Sequence, residues 1–151
     1  MARILVIRGD DETDYPLRNC LENFHECFFV SDSAIALKLL ARNKFDAVIC
    51  SAYYSAGDVY AFIRRLKRDD KLRMIPLICV TCERSSLASR LDRLTATTAV
   101  LMGADAFFSL DEFCDQKDIP SCKSCTKRLC NLSGLRNEIE KIIQRTTRQF
   151  E

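Results

Sequence analysis

The sequence predicts an α/β fold in which a parallel sheet carries helices on both faces. Short apolar runs rich in branched residues alternate with longer stretches of helical periodicity, the pattern of successive strand–helix units. The runs lack the polar alternation of a strand with one wet face, so the strands are expected to be covered on both sides. At 151 residues with 48% hydrophobic and 29% charged residues, the chain suits one compact domain spanning residues 1–151.

Each element follows from local residues. Arg3-Ile4-Leu5-Val6-Ile7 is the first strand, and Gly9-Asp10-Asp11-Glu12 marks the turn after it, its acids suiting the positive end of a helix. Leu17, Cys20, Leu21 and Phe24 lie at helical spacing, giving a first helix from about Tyr15 to Asn23. Cys27-Phe28-Phe29-Val30 is the second strand. Ser31-Asp32-Ser33 offers an N-cap for a helix from Ala34 to Arg42, with Ile35, Leu37, Leu39 and Leu40 as its apolar surface. Phe45 to Cys50 is the third strand, and Tyr60 to Lys67 a helix with Phe62, Ile63 and Leu66 on one face. Pro76 to Thr81 is the fourth strand, its leading proline tolerated at a strand start. Ser86 to Met102 reads as a long helix carrying Leu87, Leu91, Leu94 and Leu101, capped by Gly103. Ala104 to Phe108 is the fifth strand, and Leu135, Ile139, Ile142 and Ile143 mark a last amphipathic helix. Five strands and five helices in strict alternation imply right-handed crossovers.

Charge and cysteine usage narrow the function classes. Lys and Arg number 23 against 21 Asp and Glu, a net +2 that argues against a strongly basic nucleic-acid binder. The apolar stretch after Arg3 is too short for a signal-peptide core, and no run approaches the roughly 18 residues of a membrane helix. A cytoplasmic, reducing setting is therefore expected, with no membrane or nucleic-acid partner. Nine cysteines cannot all pair internally, and in such a compartment clustered cysteines point to metal or redox chemistry. Cys20, Cys27, Cys50 and Cys79 fall in apolar runs and read as core. Cys82, at a strand's carboxyl end, is the candidate reactive thiol, and His25, after a helix end, reads as a surface or capping residue.

Arg3-Ile4-Leu5-Val6-Ile7, Ala34-Ile35-Ala36-Leu37, Phe45-Asp46-Ala47-Val48-Ile49, Pro76-Leu77-Ile78-Cys79-Val80-Thr81 and Gly103-Ala104-Asp105 occur in an order and spacing that resemble the response-regulator receiver domains of two-component signalling. The likeness covers roughly Arg3 to Leu110 plus the last helix. It implies a flavodoxin-like doubly wound five-stranded parallel sheet of order 2-1-3-4-5, with the site at the carboxyl ends of the strands. The chemistry it implies there is absent position by position. The acidic pair that would hold Mg²⁺ corresponds to Arg8 and Gly9, the phosphoacceptor aspartate to Ser51, and the lysine after the fifth strand to Leu110, followed by Asp111 in place of proline. The hydroxyl position survives as Thr81 and the aromatic switch position as Phe107. A fixed cation at Arg8 repels a metal cation, so no Mg²⁺ is expected. The resemblance thus implies a degenerate pseudo-receiver, a non-enzymatic module of phosphorelay type that is not phosphorylated. A further reading lets Gly9 bulge so that Asp10 and Asp11 serve as the acid pair of a phosphorylatable receiver.

Between the fifth strand and the last helix lies an insertion, at about residues 113–131, longer than the short loop receivers use. It carries Cys114, Cys122, Cys125 and Cys130 at spacing C-x7-C-x2-C-x4-C, a set able to close a tetrahedral thiolate site around structural Zn²⁺. Four thiolates equally suit an iron–sulfur cluster, which would make the loop a redox sensor. Lys123, Lys127 and Arg128 are placed to offset the −2 charge of a zinc tetrathiolate. The enlarged fourth helix and this loop together rebuild the surface of the fourth helix, fifth strand and fifth helix, where a protein partner is expected to dock.

Overall fold

Five strands, β1 (Arg3–Ile7), β2 (Glu26–Val30), β3 (Ala47–Ser51), β4 (Leu77–Thr81) and β5 (Ala106–Ser109), form one all-parallel sheet in the order β2-β1-β3-β4-β5. They alternate with helices α1 (Asp11–Leu21), α2 (Ser33–Arg42), α3 (Val59–Arg68), α4 (Asp92–Leu101) and α5 (Ser133–Gln149), and a 3-10 turn at Leu110–Phe113 follows β5. This computed structural model describes residues 1–8, 11–51, 59–81, 92–113 and 132–149, without the side chains of 11–15, 92–95, 111 and 147–149.

Alternate residues of the central strands feed two cores. Ile4, Val6, Ala47, Ile49, Ile78 and Val80 meet Leu17, Cys20 and Leu21 of α1 and Leu135, Ile139 and Ile142 of α5. On the other face Leu5, Ile7, Val48, Cys50, Leu77 and Cys79 meet Ala36 and Leu40 of α2, Val59, Phe62, Ile63 and Leu66 of α3 and Ala99 of α4. Burying one such Leu, Ile or Val stabilises the fold by about 1.5–3 kcal/mol, so these two layers dominate its energetics.

Two aspartates seat the strands by the same device. Asp46, just before β3, accepts the Arg3 N–H through Oδ2 at 2.8 Å while its own N–H donates to Arg3 O. Asp105, just before β5, accepts the Leu77 N–H through Oδ2 at 2.7 Å while its N–H donates to Leu77 O. Each carboxylate satisfies the first donor of the neighbouring strand, where the ladder would otherwise leave it open. Asp32 caps α2 by accepting from Ala34 N–H at 2.8 Å. Gly103 closes α4 at φ 121, with Ala104 N–H reaching back to Ala99 O, and a Cβ there would lie 2.9 Å from Lys67 Cγ.

The edge strand β2 is covered by cations. Arg3 stands over the rings of Phe28 and Phe45 at 5.2 and 5.3 Å, and Arg18 over Phe29 at 3.9 Å. Charge laid over an exposed edge discourages pairing with another chain.

Several elements depart from the sequence expectation. α1 begins at Asp11 rather than Tyr15 and ends at Leu21 rather than Asn23. Pro16 lies inside the helix, where burial of Leu17, Cys20 and Leu21 outweighs the donor its ring removes. Phe24, expected on the apolar face, is 47% exposed with the Arg136 guanidinium 3.6 Å from its ring centre. Phe45 and Pro76 precede their strands, and β5 starts at Ala106 because Ala104 and Asp105 finish the α4 cap and the strand seat. Ile35 is 48% exposed while its neighbour Ala36 is buried, and Leu101 is 81% exposed. The expected extension of α4 over residues 86–91 and the insertion at 114–131 lie outside the described residues.

His25 is neither a surface residue nor a helix cap. Its Nδ1 accepts the Ala2 N–H at 3.1 Å, so the proton resides on Nε2, which donates to Glu140 Oε1 at 2.9 Å with a side chain only 10% exposed. One imidazole therefore ties the start of β1, the α1–β2 turn and the middle of α5. His25→Ala leaves the Ala2 N–H without its acceptor, while Glu140 keeps Arg136 at 3.9 Å, and is expected to lower stability by about 1–2 kcal/mol, read as a fall in the urea midpoint, with His25→Gln recovering part of the loss.

Candidate functional site

The carboxyl ends of β1, β3, β4 and β5 come together at one edge of the sheet because all four strands run parallel. Pairing of Ile7 with Cys50 carries on to set Arg8 beside Ser51, and Ser51 itself pairs with Val80. Thr81 pairs with Ser109, and Leu110 follows directly. Arg8, Ser51, Thr81 and Leu110 thus lie at the carboxyl ends of their strands, along one edge. Gly9, Asp10 and Cys82, and the side chain of Asp11, lie outside the described residues.

Arg8 continues the β1–β2 ladder through its backbone, its N–H donating to Val30 O at 2.7 Å. Its position puts a cation at the end of β1. Ser51 is 2% exposed at the tip of a strand whose other residues are all apolar. A serine hydroxyl is a weak nucleophile unless a base activates it. Leu110 is 2% exposed and belongs to the α1–α5 core with Leu132, Leu135 and Ile139. An apolar side chain at this point turns inward, whereas an ammonium would have to stay in water or find a partner.

Thr81 and Ser109 form a pair of hydroxyls that sequence reading found only in part. Both are buried, at 1% and 8% exposure, and neither Thr81 Oγ1 nor Ser109 Oγ has a hydrogen-bond partner among the described residues. Ser109 was hidden because it closes the apolar run Ala106-Phe107-Phe108; only the β4–β5 register shows that it stands beside Thr81. Phe107 is half-buried and packs against the α2–α3–α4 core.

Among the described residues no group of three or more His, Cys, Asp or Glu could hold a metal ion. Cys114, Cys122, Cys125 and Cys130 lie outside them. The four described cysteines are free thiols. Cys20, Cys50 and Cys79 are core, as expected, whereas Cys27 is only half-buried on β2. Burial pushes the Cys20 and Cys79 thiols up to about 12 and Cys27 up to about 11, and holds Cys50 well above its usual range. Such thiols stay protonated and unreactive, since the thiolate is the nucleophile and the metal ligand.

The fold is that of solved receiver domains. The chain is similar to the signal receiver domain of an HD domain-containing protein from Pseudomonas fluorescens, at 15% identity and TM-score 0.68 over 98% of this chain and 90% of that one. It is similar to the signal receiver domain of a signal transduction histidine kinase from Syntrophus aciditrophicus, at 20% identity and TM-score 0.62 over 95% and 91%. A third, the receiver domain of a sensor histidine kinase from Pseudomonas aeruginosa with a magnesium ion coordinated in its active-site cleft, matches at 18% identity and TM-score 0.57 over 95% of both chains. No protein-family model and no curated protein matches the chain.

The thiols set an alkaline limit on stability. They remain protonated in the folded state but ionise from about pH 9 in the unfolded chain, so stability is retained below that pH and falls as pH rises toward 12. At pH 10, Cys20, Cys50 and Cys79 are each expected to cost about 1 kcal/mol, and half-open Cys27 less. Urea midpoints at pH 8, 9 and 10 for the native chain and a Cys20→Ala, Cys79→Ala variant check this, the variant showing the shallower fall.

Proposed function

We propose that this chain is a signal-transduction module of receiver type, working by protein–protein contact without phosphorylation and without catalysing a reaction. The observation that carries the reading is the set of side chains at the carboxyl edge. Ser51 stands where a receiver carries its acceptor carboxylate, Arg8 where it carries a metal-binding acid, and the buried Leu110 where it carries its lysine. Phosphoryl transfer needs a nucleophile, a metal to neutralise the transferring oxygens and a positioned cation. Each has been replaced by a residue of unsuitable chemistry, and a single reversion would leave the other two missing.

The surface of α4, β5 and α5 supports the contact half of the reading. Val100 and Leu101 are 49% and 81% exposed at the end of α4. Apolar side chains clustered outside the core mark a site for a partner more often than scattered ones do. Among the described residues no helix is long and apolar enough to cross a membrane. In sequence the cysteine-bearing segment lies between β5 and α5, and its four thiols fit structural zinc by their chemistry: full thiolate coordination closes the metal to water and holds a polar loop in one shape. Zinc there would fix the docking face without any phosphorylation step.

Incubating the chain with acetyl phosphate and Mg²⁺ is expected to give no covalent mass gain. A stable gain lost on Ser51→Ala would contradict the proposal, and one lost on substituting Asp10 or Asp11 would restore the phosphorylatable reading. Protein purified without oxygen is expected to carry one equivalent of zinc and a featureless visible spectrum. A broad charge-transfer band in the visible region would replace zinc by an iron–sulfur cluster and turn the loop into a redox sensor.

A further inference from the structure

The outward face of α3 carries a feature that the receiver edge does not use. Ala61, Arg64, Arg65 and Arg68 line a shallow groove of about 450 Å³. The helix has four bases and no acid in the sequence VYAFIRRLKR. One base is engaged elsewhere: Lys67 Nζ donates to the carbonyls of Arg73 and Ile75 and pairs with Asp105 Oδ2 at 3.4 Å. The acids just beyond the helix are engaged too. Asp69 Oδ1 accepts the N–H groups of Lys71 and Leu72, and Asp70 lies 3.8 Å from Arg73. Among the described residues none of Arg64, Arg65 and Arg68 has an ion pair.

The ordinary reading of such bases is a solvated helix end whose cations complement the dipole. That accounts for one or two of them in the last turn. It does not account for Arg64, a turn from the end, or for three guanidiniums bordering one groove with a methyl group at its head.

We propose that this groove binds a small ligand carrying adjacent phosphate groups, the diphosphate moiety of a nucleotide being the class that fits. Positions 61, 64, 65 and 68 fall in one stripe, with neighbours one turn apart about 5–6 Å between Cβ atoms, close enough for two guanidiniums to share one diphosphate. Each planar fork can bind phosphate oxygens through two parallel hydrogen bonds, which an ammonium cannot do. Ala61 leaves open the end of the stripe that a longer side chain would fill. The groove is open and all its lining residues belong to one helix, so a ligand there is held by the guanidinium forks and not by enclosure. A nucleic-acid duplex fits less well: proteins that hold one commonly neutralise about six to ten phosphates, and a stripe of two helical turns in a chain of net charge +2 lacks the reach and the field. The site lies on a helix face and stands apart from the reading of the carboxyl edge.

Calorimetric titration of the full chain with pyrophosphate, inorganic phosphate and a nucleoside diphosphate at low salt tests it. Pyrophosphate and the nucleotide are expected to bind saturably and at least about tenfold tighter than phosphate, since a second charged group engages a second fork. Arg64→Ala and Arg68→Ala, both at exposed positions, are expected to weaken binding about tenfold each while circular dichroism is unchanged. Arg64→Lys should recover only part of the loss, and Arg145→Ala on the far helix α5 should have no effect. The proposal is overturned by the absence of saturable heat at millimolar pyrophosphate, or by an equal loss in Arg145→Ala, which would mark general charge screening. Tighter binding of a DNA duplex or an acidic peptide than of pyrophosphate would also overturn it, by assigning the groove to a macromolecule.

Discussion

Every strand of the middle of the sheet must bury both of its faces, and most of the molecule follows from that requirement. Apart from Arg3 at the start of β1, every residue of β1, β3 and β4 is buried. Each therefore needs helices above and below, which forces crossover connections, parallel strands and a single edge where all carboxyl ends meet. Polar residues within these strands are confined to the ends, with Arg3 at the start of β1 and Ser51 and Thr81 at the carboxyl tips of β3 and β4. The site is thus a by-product of two-sided burial, and at Leu110 it merges with one of the two cores.

The two aspartates before β3 and β5 show how the strands are held in register at their other ends. Asp46 and Asp105 each donate and accept across to the neighbouring strand's first residue. Both are followed by alanine, small enough for the chain to turn into the sheet. Asp105 also meets Lys67, so the bottom of β5 is tied to α3, the helix that presents the arginine groove. Strand seating and the charge distribution on α3 are therefore linked: the one base of that helix used for structure is the one whose removal would loosen β5.

Much of the candidate site was legible in the sequence because its positions are strand ends, and strand ends follow from the apolar runs. Arg8, Ser51, Thr81 and Leu110 could be placed by counting along those runs. What stayed hidden depended on partners far away in the chain. His25 looked like a surface residue because nothing nearby names Ala2 and Glu140, the latter 115 positions along, as its partners. Ser109 was masked by the aromatic run it ends, and Phe24 lost its core role to Arg136.

By itself the sequence determined the fold class and the strand order implied by its likeness to receivers, since both rest on residue type and spacing. Only the tertiary structure decided that Leu110 is core and not a failed cation, that Thr81 has a second buried hydroxyl beside it, and that three arginines of α3 border one groove while the fourth base is withdrawn. The physical reason is the same in each case: periodicity reports which face of an element is buried, but the identity of a side chain's partner is set by elements that meet only when the sheet closes.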